Sequence, residues 1–321
     1  MTVNTGDDIT AAQYEELRGK AARVLGQPSG SWATGSIGTV AGYDQTPDAP
    51  IRLPSDLITA EDWNKLHNDL TRSYAHIVGS EPSIDTVATG ELITADIYNE
   101  YETIADFNIT NRNTVAATQR SLENATTGAL TSTWNGVQKH AFTMTWDNQD
   151  HKEGWINAGG TLRFSASSSY SGSDDKSQDW VNIINGVGVI EINNMSMTET
   201  GSGELQVSQA GPSYNGWWFL DDLSIGTEQI VYKTTGTGSS EYSEYNENYY
   251  EIRFVKRSNK QYEFQVIIND SDVGGGAEGA DDNVQTNITS TVQVFTASGP
   301  YVSLARPTFA EKTPTNTFNY S

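Results

Sequence analysis

The chain contains no cysteine, which removes disulfides, zinc–thiolate centres and thiol nucleophiles at once and leaves the redox compartment unreadable. Basic residues are scarce, 19 Lys and Arg against 41 Asp and Glu, for a formal net charge of −22. Such a surface is repelled by phosphate backbones and by anionic membranes, so neither nucleic acid nor a bilayer is an expected partner. No run of about 18 apolar residues exists to span a membrane. The opening MTVNTGDDIT lacks the basic and apolar regions of a secretory leader. The expectation is a protein that stays in the cell that makes it, or leaves by lysis or a dedicated route. Motifs are also missing: no G-x-S-x-G, H-E-x-x-H or phosphate-binding loop is present. The four histidines include His67 and His76 nine residues apart on one predicted helix, which is not the spacing of a metal-binding pair. No catalytic residue and no cofactor is expected.

Apolar residues make up only 36% of the chain, beside 29 glycines. That balance suits β-rich architecture, in which many strands keep one wet face.

One phrase is written three times: DITAAQYEEL, LITAEDWNKL and LITADIYNEY. Each reads as a helix start, with Thr10, Thr59 or Thr94 as N-cap. Three residues on, Gln13 completes a capping box, Asp62 gives a weaker one, and Ile97 gives none. Before each cap stands Ile9, Ile58 or Ile93, and four residues after it Tyr14, Trp63 or Tyr98. These apolar pairs form hydrophobic staples. The first two helices should stop at Gly26 and Gly79. The third should run on through NITNRNTVAATQRSLENA as an extended helix or a thin coiled segment with a weak seam. Short helices with narrow apolar stripes need a partner surface. Residues 1–125 are therefore expected to be a helical anchoring and oligomerising region, its six staple residues the assembly contacts. The long Gly- and Pro-rich stretch after Gly26 is expected to be an arm lying on a neighbour. A helical subdomain packed on its own chain is the rival reading.

From about Leu130 the period changes to two. Segments such as HAFTMTW, GTLRFSASSSY, EQIVYKTT and STVQVFTAS alternate, and EIRFVKRSNKQYEFQVII reads as a hairpin turning at SNK. One short helix, KSQDWVNIING, interrupts. About eight strands over residues 126–321 predict an antiparallel β-sandwich with one helical crossover. The fold class is α+β.

Three loops invite functional readings. Tyr214, Trp217 and Trp218 in PSYNGWWFLDD, with Tyr242 and Tyr245 in SSEYSEYNENYY, could form a surface that stacks on sugars. In a strand, Trp217 and Trp218 would face opposite ways, one into the core and one to an interface. Asp270, Asp272 and Asp281 in NDSDVGGGAEGADDN make a weak calcium candidate, because a calcium loop wants Glu at its twelfth position and helices on its flanks.

The triplicated helix starts, VLGQPSGSW…GYDQ, and GWINAGGTLRFSASSS…DWVNIINGVGVIEI together resemble virion structural proteins of large tailed bacteriophages, of the T4-like marine myovirus type. Trp155, Asn157, Gly159, Gly160, Arg163, Ser165 and Ser167 carry the most specific part of that likeness. The resemblance implies a non-enzymatic component of the neck, tail or fibre, located in the virion after assembly in the host cytoplasm. Its partners would be other virion proteins and copies of itself, with a trimer the first expectation. The alternative is a receptor-binding fibre module that reads a host-surface glycan.

Overall fold

The structure is a computed structural model, and it describes residues 9–26, 42–130, 133–208, 217–236, 247–271 and 283–317. The three repeated phrases open helices α1 (Ala11–Leu25), α2 (Ala60–Val78) and α3 (Ala95–Asn111). Thr10 and Thr59 each head a reciprocal capping box, with Gln13 and Asp62. Thr94 accepts from the Ile97 amide, and no side chain answers it. Gly79 closes α2 in the left-handed conformation, φ 94°, which a β-carbon would penalise.

The staples do not face outward. Tyr14, Trp63 and Tyr98 are fully buried in one cluster against which Ile9, Ile58 and Ile93 pack. Trp63 stands edge-on to Tyr14 at 5.8 Å and to Tyr101 at 5.2 Å. The expected assembly contacts are thus the core of the chain's own three-helix unit. The narrow stripes find their partner surface in one another.

All three helices run in the same direction. Their early turns meet at the Tyr14–Trp63–Tyr101 rings. Further along, Lys20 of α1 pairs with Asp106 of α3 at 2.6 Å, and Asn108 of α3 donates to the Leu70 carbonyl of α2 at 2.9 Å. Parallel neighbours require each connection to carry the chain back along a helix, about 28 Å for α2 at 1.5 Å per residue. That is the work of the Pro-rich segments. Asp69 in α2 accepts from the amides of Asp48 and Ala49, and Glu15 in α1 accepts from the Arg52 amide. Asn64 exchanges two hydrogen bonds with Val87, and Tyr101 donates to the Asp85 carbonyl. The described part of the expected arm, from residue 42 on, is therefore a return path on its own chain, and residues 27–41 lie outside the described residues.

The third helix ends at Asn111, and the chain enters a strand, β1 (Arg120–Leu130), instead of continuing as a helix. Val115, Thr114 and Thr118 are β-branched, and the polar Asn and Thr run offers a helix no apolar face. The expected boundary at 125/126 falls inside β1, so the helical unit ends near residue 111 and the β unit begins at Arg120.

The β unit continues with β2 (Val137–Thr145), α4 (Gln149–Asn157), β3 (Thr161–Ser169), α5 (Asp175–Asn185), β4 (Val189–Ile192), β5 (Met197–Glu199) and β6 (Glu204–Leu205). Then come α6 (Trp218–Asp221), β7 (Glu228–Thr235), β8 (Tyr249–Ser258), β9 (Gln261–Asn269), β10 (Asn287–Ala297) and β11 (Thr308–Thr317). One sheet has the order β1-β10-β3-β4-β5 and the other β11-β2-β9-β8-β7-β6, every pairing antiparallel. Their inner faces share one core, in which Phe164 of the first sheet meets Phe254 at 5.9 Å and Phe264 at 5.5 Å in the second. The α+β class and the sandwich therefore stand, with more strands than expected. The β8–β9 hairpin turns where SNK predicts, and α5 is the expected short helix. Helix α4 was not foreseen: GWIN lies inside it, its N-terminus capped by Asn148.

The two units meet end to side. Val24 and Leu25 from the end of α1 share a cluster with Tyr43, Ala158, Ala297 and Val302. His76, near the end of α2, bonds through Nε2 to the Ala158 carbonyl at 3.2 Å. Asn157 donates to the Gly42 carbonyl. The NAGG turn is thus the hub of the junction.

Candidate functional site

Two constellations of polar and charged side chains merit a chemical reading. The first surrounds Lys152 on α4. Its ammonium contacts the Asp221 carboxylate and lies 5.2 Å over the Tyr262 ring. Lys256 donates to the Asp221 carbonyl at 2.7 Å. Trp146, Trp155, Trp217 and Tyr262 wall the group, with neighbouring centroids 5.2 to 6.0 Å apart. Burial raises the Asp221 carboxyl, against the pull of Lys152, and burial beside Asp221 raises the Tyr262 phenol well above its ordinary range. Lys152 is only 1% exposed, so the pair is sealed. It joins α4 to α6 and the second sheet and presents nothing to a substrate.

The second constellation is open. A cleft of about 190 Å³ lies where the α3–β1 linker, the start of β3 and the β4–β5 turn converge. Asn113, Thr114 and Val115 line one side, Gly159 and Thr161 the floor, and Asn193 to Met195 the other side, with Arg120 entering from β1. Gly159 is required there: φ is +91°, and a β-carbon would stand 2.7 Å from Val115 and 3.2 Å from Arg120. The Asn193 side chain accepts from the amides of Met195 and Ser196 and so shapes the turn. The Asn194 side chain donates to Asn113 Oδ1 at 3.0 Å and ties the two walls together.

Arg120 is the feature that sets this cleft apart. Among the described residues its one hydrogen bond goes to Thr161 Oγ1 at 3.3 Å, and its buried Nε meets no acceptor. Among the described residues no carboxylate forms an ion pair with it. Glu191, whose charge acts on Arg120 from outside ion-pair range, is engaged by Arg163 at 2.8 Å. Arg163 and Arg120 both lie over the Phe295 ring, at 4.8 and 5.2 Å. Burial pushes the Arg120 pKa down, Glu191 opposing the shift and Arg163 adding to it. The lining contains no Asp or Glu, in a chain with 41 of them.

The residues singled out from sequence fall elsewhere. Trp217 is wholly buried, and the strand reading of the Trp pair fails because α6 starts at Trp218, with Leu220 and Asp221 donating to the Trp217 carbonyl. The Trp218 side chain, Tyr214, Tyr242 and Tyr245 lie outside the described residues. Asp270 is buried in an ion pair with Lys176 at 2.9 Å, so its carboxylate is already neutralised and the calcium reading loses its first ligand. Asp272 and Asp281 lie outside the described residues. Among the described residues no group of three or more His, Asp or Glu could hold a metal, and no helix is long and apolar enough to cross a membrane. His67, His76 and His151 each bond to a backbone carbonyl in a different place.

Sequence reading missed Arg120 because it placed that residue on a continuing helix. A signal was present. The strand period puts Arg120 and Glu123 on opposite faces, which leaves Glu123 to Arg306 at 2.6 Å and Arg120 without its nearest acid.

No protein-family model, curated protein or solved structure matches the chain.

Proposed function

We propose that the chain is a non-enzymatic structural protein of a tailed-phage particle, docked through the free end of its three-helix unit. The observation that carries this reading is where the exposed apolar side chains lie. The helices abut the sandwich with their C-terminal ends, so their N-terminal ends point away from it. Around those ends lie four of the eight large apolar side chains exposed among the described residues, the two most exposed among them: Ile51 at 60%, Leu53 at 63%, Leu57 at 81% and Leu92 at 82%. Leu57 and Leu92 each sit one residue outside a staple isoleucine. Arg52, between Ile51 and Leu53, is held by Glu15 and by Asp62 at 2.6 Å. Large apolar side chains gathered at one end of an acidic protein are what a docking face needs. The inward staples support this: they make the unit a rigid plug, leaving the next shell of residues for a neighbour. The likeness to phage virion proteins points the same way. The neighbours are other particle proteins, copies of this chain among them, with a trimer as the first arrangement to test.

The experiment compares particles assembled with the wild-type chain and with a Leu57→Glu/Leu92→Glu variant. Wild type is expected in purified particles and the variant in the unassembled fraction. The variant's Tm should be unchanged, because neither side chain is in the core. Particles lacking the chain altogether, or equal incorporation of the variant, would end this reading.

The open cleft favours a second reading, a fibre module that binds a host-surface glycan. Adsorption of the intact protein to host envelope material tests it.

A further inference from the structure

We infer that the Arg120 cleft is a subsite for a carboxylate-bearing sugar. This inference deepens the glycan-binding reading and is independent of how the helical end docks. A half-buried guanidinium without a carboxylate partner is an unfilled demand for an anion. The structure holds it ready: Thr161 fixes one nitrogen, the Phe295 ring lies beneath, and Nε is left without an acceptor. A planar fork of N–H donors matches a planar carboxylate. One cation is poorly matched to a doubly charged phosphate, and the Gly159 amide in the lining is already spent on the Ile156 carbonyl at 3.1 Å. The rest of the lining suits sugar hydroxyls and C–H faces. The Asn113 amide nitrogen has no protein partner among the described residues, Thr114 is exposed, and Val115 and Met195 supply apolar edges. At about 190 Å³ the cleft is smaller than the roughly 300–1,000 Å³ of drug-sized sites, which limits it to one saccharide unit. The chain's negative charge does not forbid this, because fields from distant surface acids are screened beyond about 8 Å at physiological salt.

The test titrates the full-length protein with D-glucuronate, N-acetylneuraminate, neutral D-glucose and inorganic phosphate, followed by saturation-transfer NMR and calorimetry. At least one sugar acid is expected to bind saturably in the millimolar range, and glucose is expected not to. Arg120→Gln should weaken that binding at least tenfold. Thr114→Trp, which leaves Arg120 in place and blocks the mouth, should abolish it. The Leu57→Glu/Leu92→Glu variant should bind like wild type. The inference falls if neither sugar acid saturates, if binding survives both cleft substitutions, or if only phosphate shows the Arg120 dependence. Should the protein adsorb to host envelope material yet ignore both sugar acids, the glycan-binding reading stands and the cleft assignment fails.

Discussion

The helical unit and the sandwich solve the same problem by opposite means. Each must cover narrow apolar surfaces. The sandwich does so with two broad sheets, whose inner faces contribute Phe142, Phe164, Phe254, Phe264 and many aliphatic side chains to one continuous core. The helical unit has only a small cluster, centred on Tyr14, Trp63, Tyr98 and Tyr101. It aligns three helix dipoles in parallel, an arrangement that brings three positive ends together. Acidic residues in the first turns, Glu61 and Asp62 on α2 and Asp96 on α3, offset that arrangement. A core of few large rings is less tolerant than one of many. The sandwich can lose a contact and keep its shape, whereas the helical unit has one ring at its centre.

That contrast is broken or kept by Trp63→Ala. The ring is buried and touches both Tyr14 and Tyr101, so its removal should cost roughly 3–5 kcal/mol. The loss should be concentrated in residues 9–111, read by hydrogen exchange as amides of α1 to α3 opening while β8 and β9 stay protected. Uniform loss of protection across both units would show that they unfold as one body and that the comparison is false.

The helix starts were legible because capping and stapling are local: Thr10, Gln13, Ile9 and Tyr14 lie within six residues. Their partner was not legible. Nothing in a short apolar stripe says whether it meets a neighbouring subunit or another helix of the same chain, and only the return paths through Asp48, Arg52 and Val87 decide it. Strand existence was readable from alternation in the same way. The end of α3 was misread because NITNRNTVAATQR has too few apolar residues to show either period. The Arg120 cleft draws on segments far apart in the chain, the 113–115 linker and the 193–195 turn, and no local pattern announces such a meeting.

The joint between the units can be probed by pH. His76 is buried beside Tyr43 with its Nε2 on the Ala158 carbonyl, and burial lowers its pKa from 6.5 to about 4. The unfolded chain therefore takes up a proton as pH falls through 6.5, while the folded chain resists until about 4. His76 thus favours the folded state least at acid pH, and its contribution declines by up to about 3 kcal/mol between pH 7 and 4. His76→Gln should remove that slope. The stability difference between wild type and variant, measured by urea unfolding at pH 7 and at pH 4.5, should shift toward the variant on acidification. A difference that does not change with pH would mean that the joint admits water and that His76 titrates as an exposed imidazole.

The smallest expected effect sharpens the comparison within the helical unit itself. Thr59 both accepts from the Asp62 amide and receives Asp62 in return, its own amide donating at 2.9 Å. Thr94 accepts from Ile97 at 3.3 Å and gets no reciprocal bond. Thr59→Ala should cost roughly 1 kcal/mol. It also strips a hydroxyl from a carboxylate that binds Arg52, so it should loosen the return path that carries Ile51 and Leu53. Thr94→Ala removes a single long bond at an exposed cap and should cost about half as much, near the lower end of the 0.5–2 kcal/mol range for caps. Denaturant midpoints of the two variants, at equal m-value, give the ratio. Equal losses would mean that the answering Asp62 adds nothing. A larger loss at Thr94 would mean that the three copies of the phrase do not differ in strength as their third residues require.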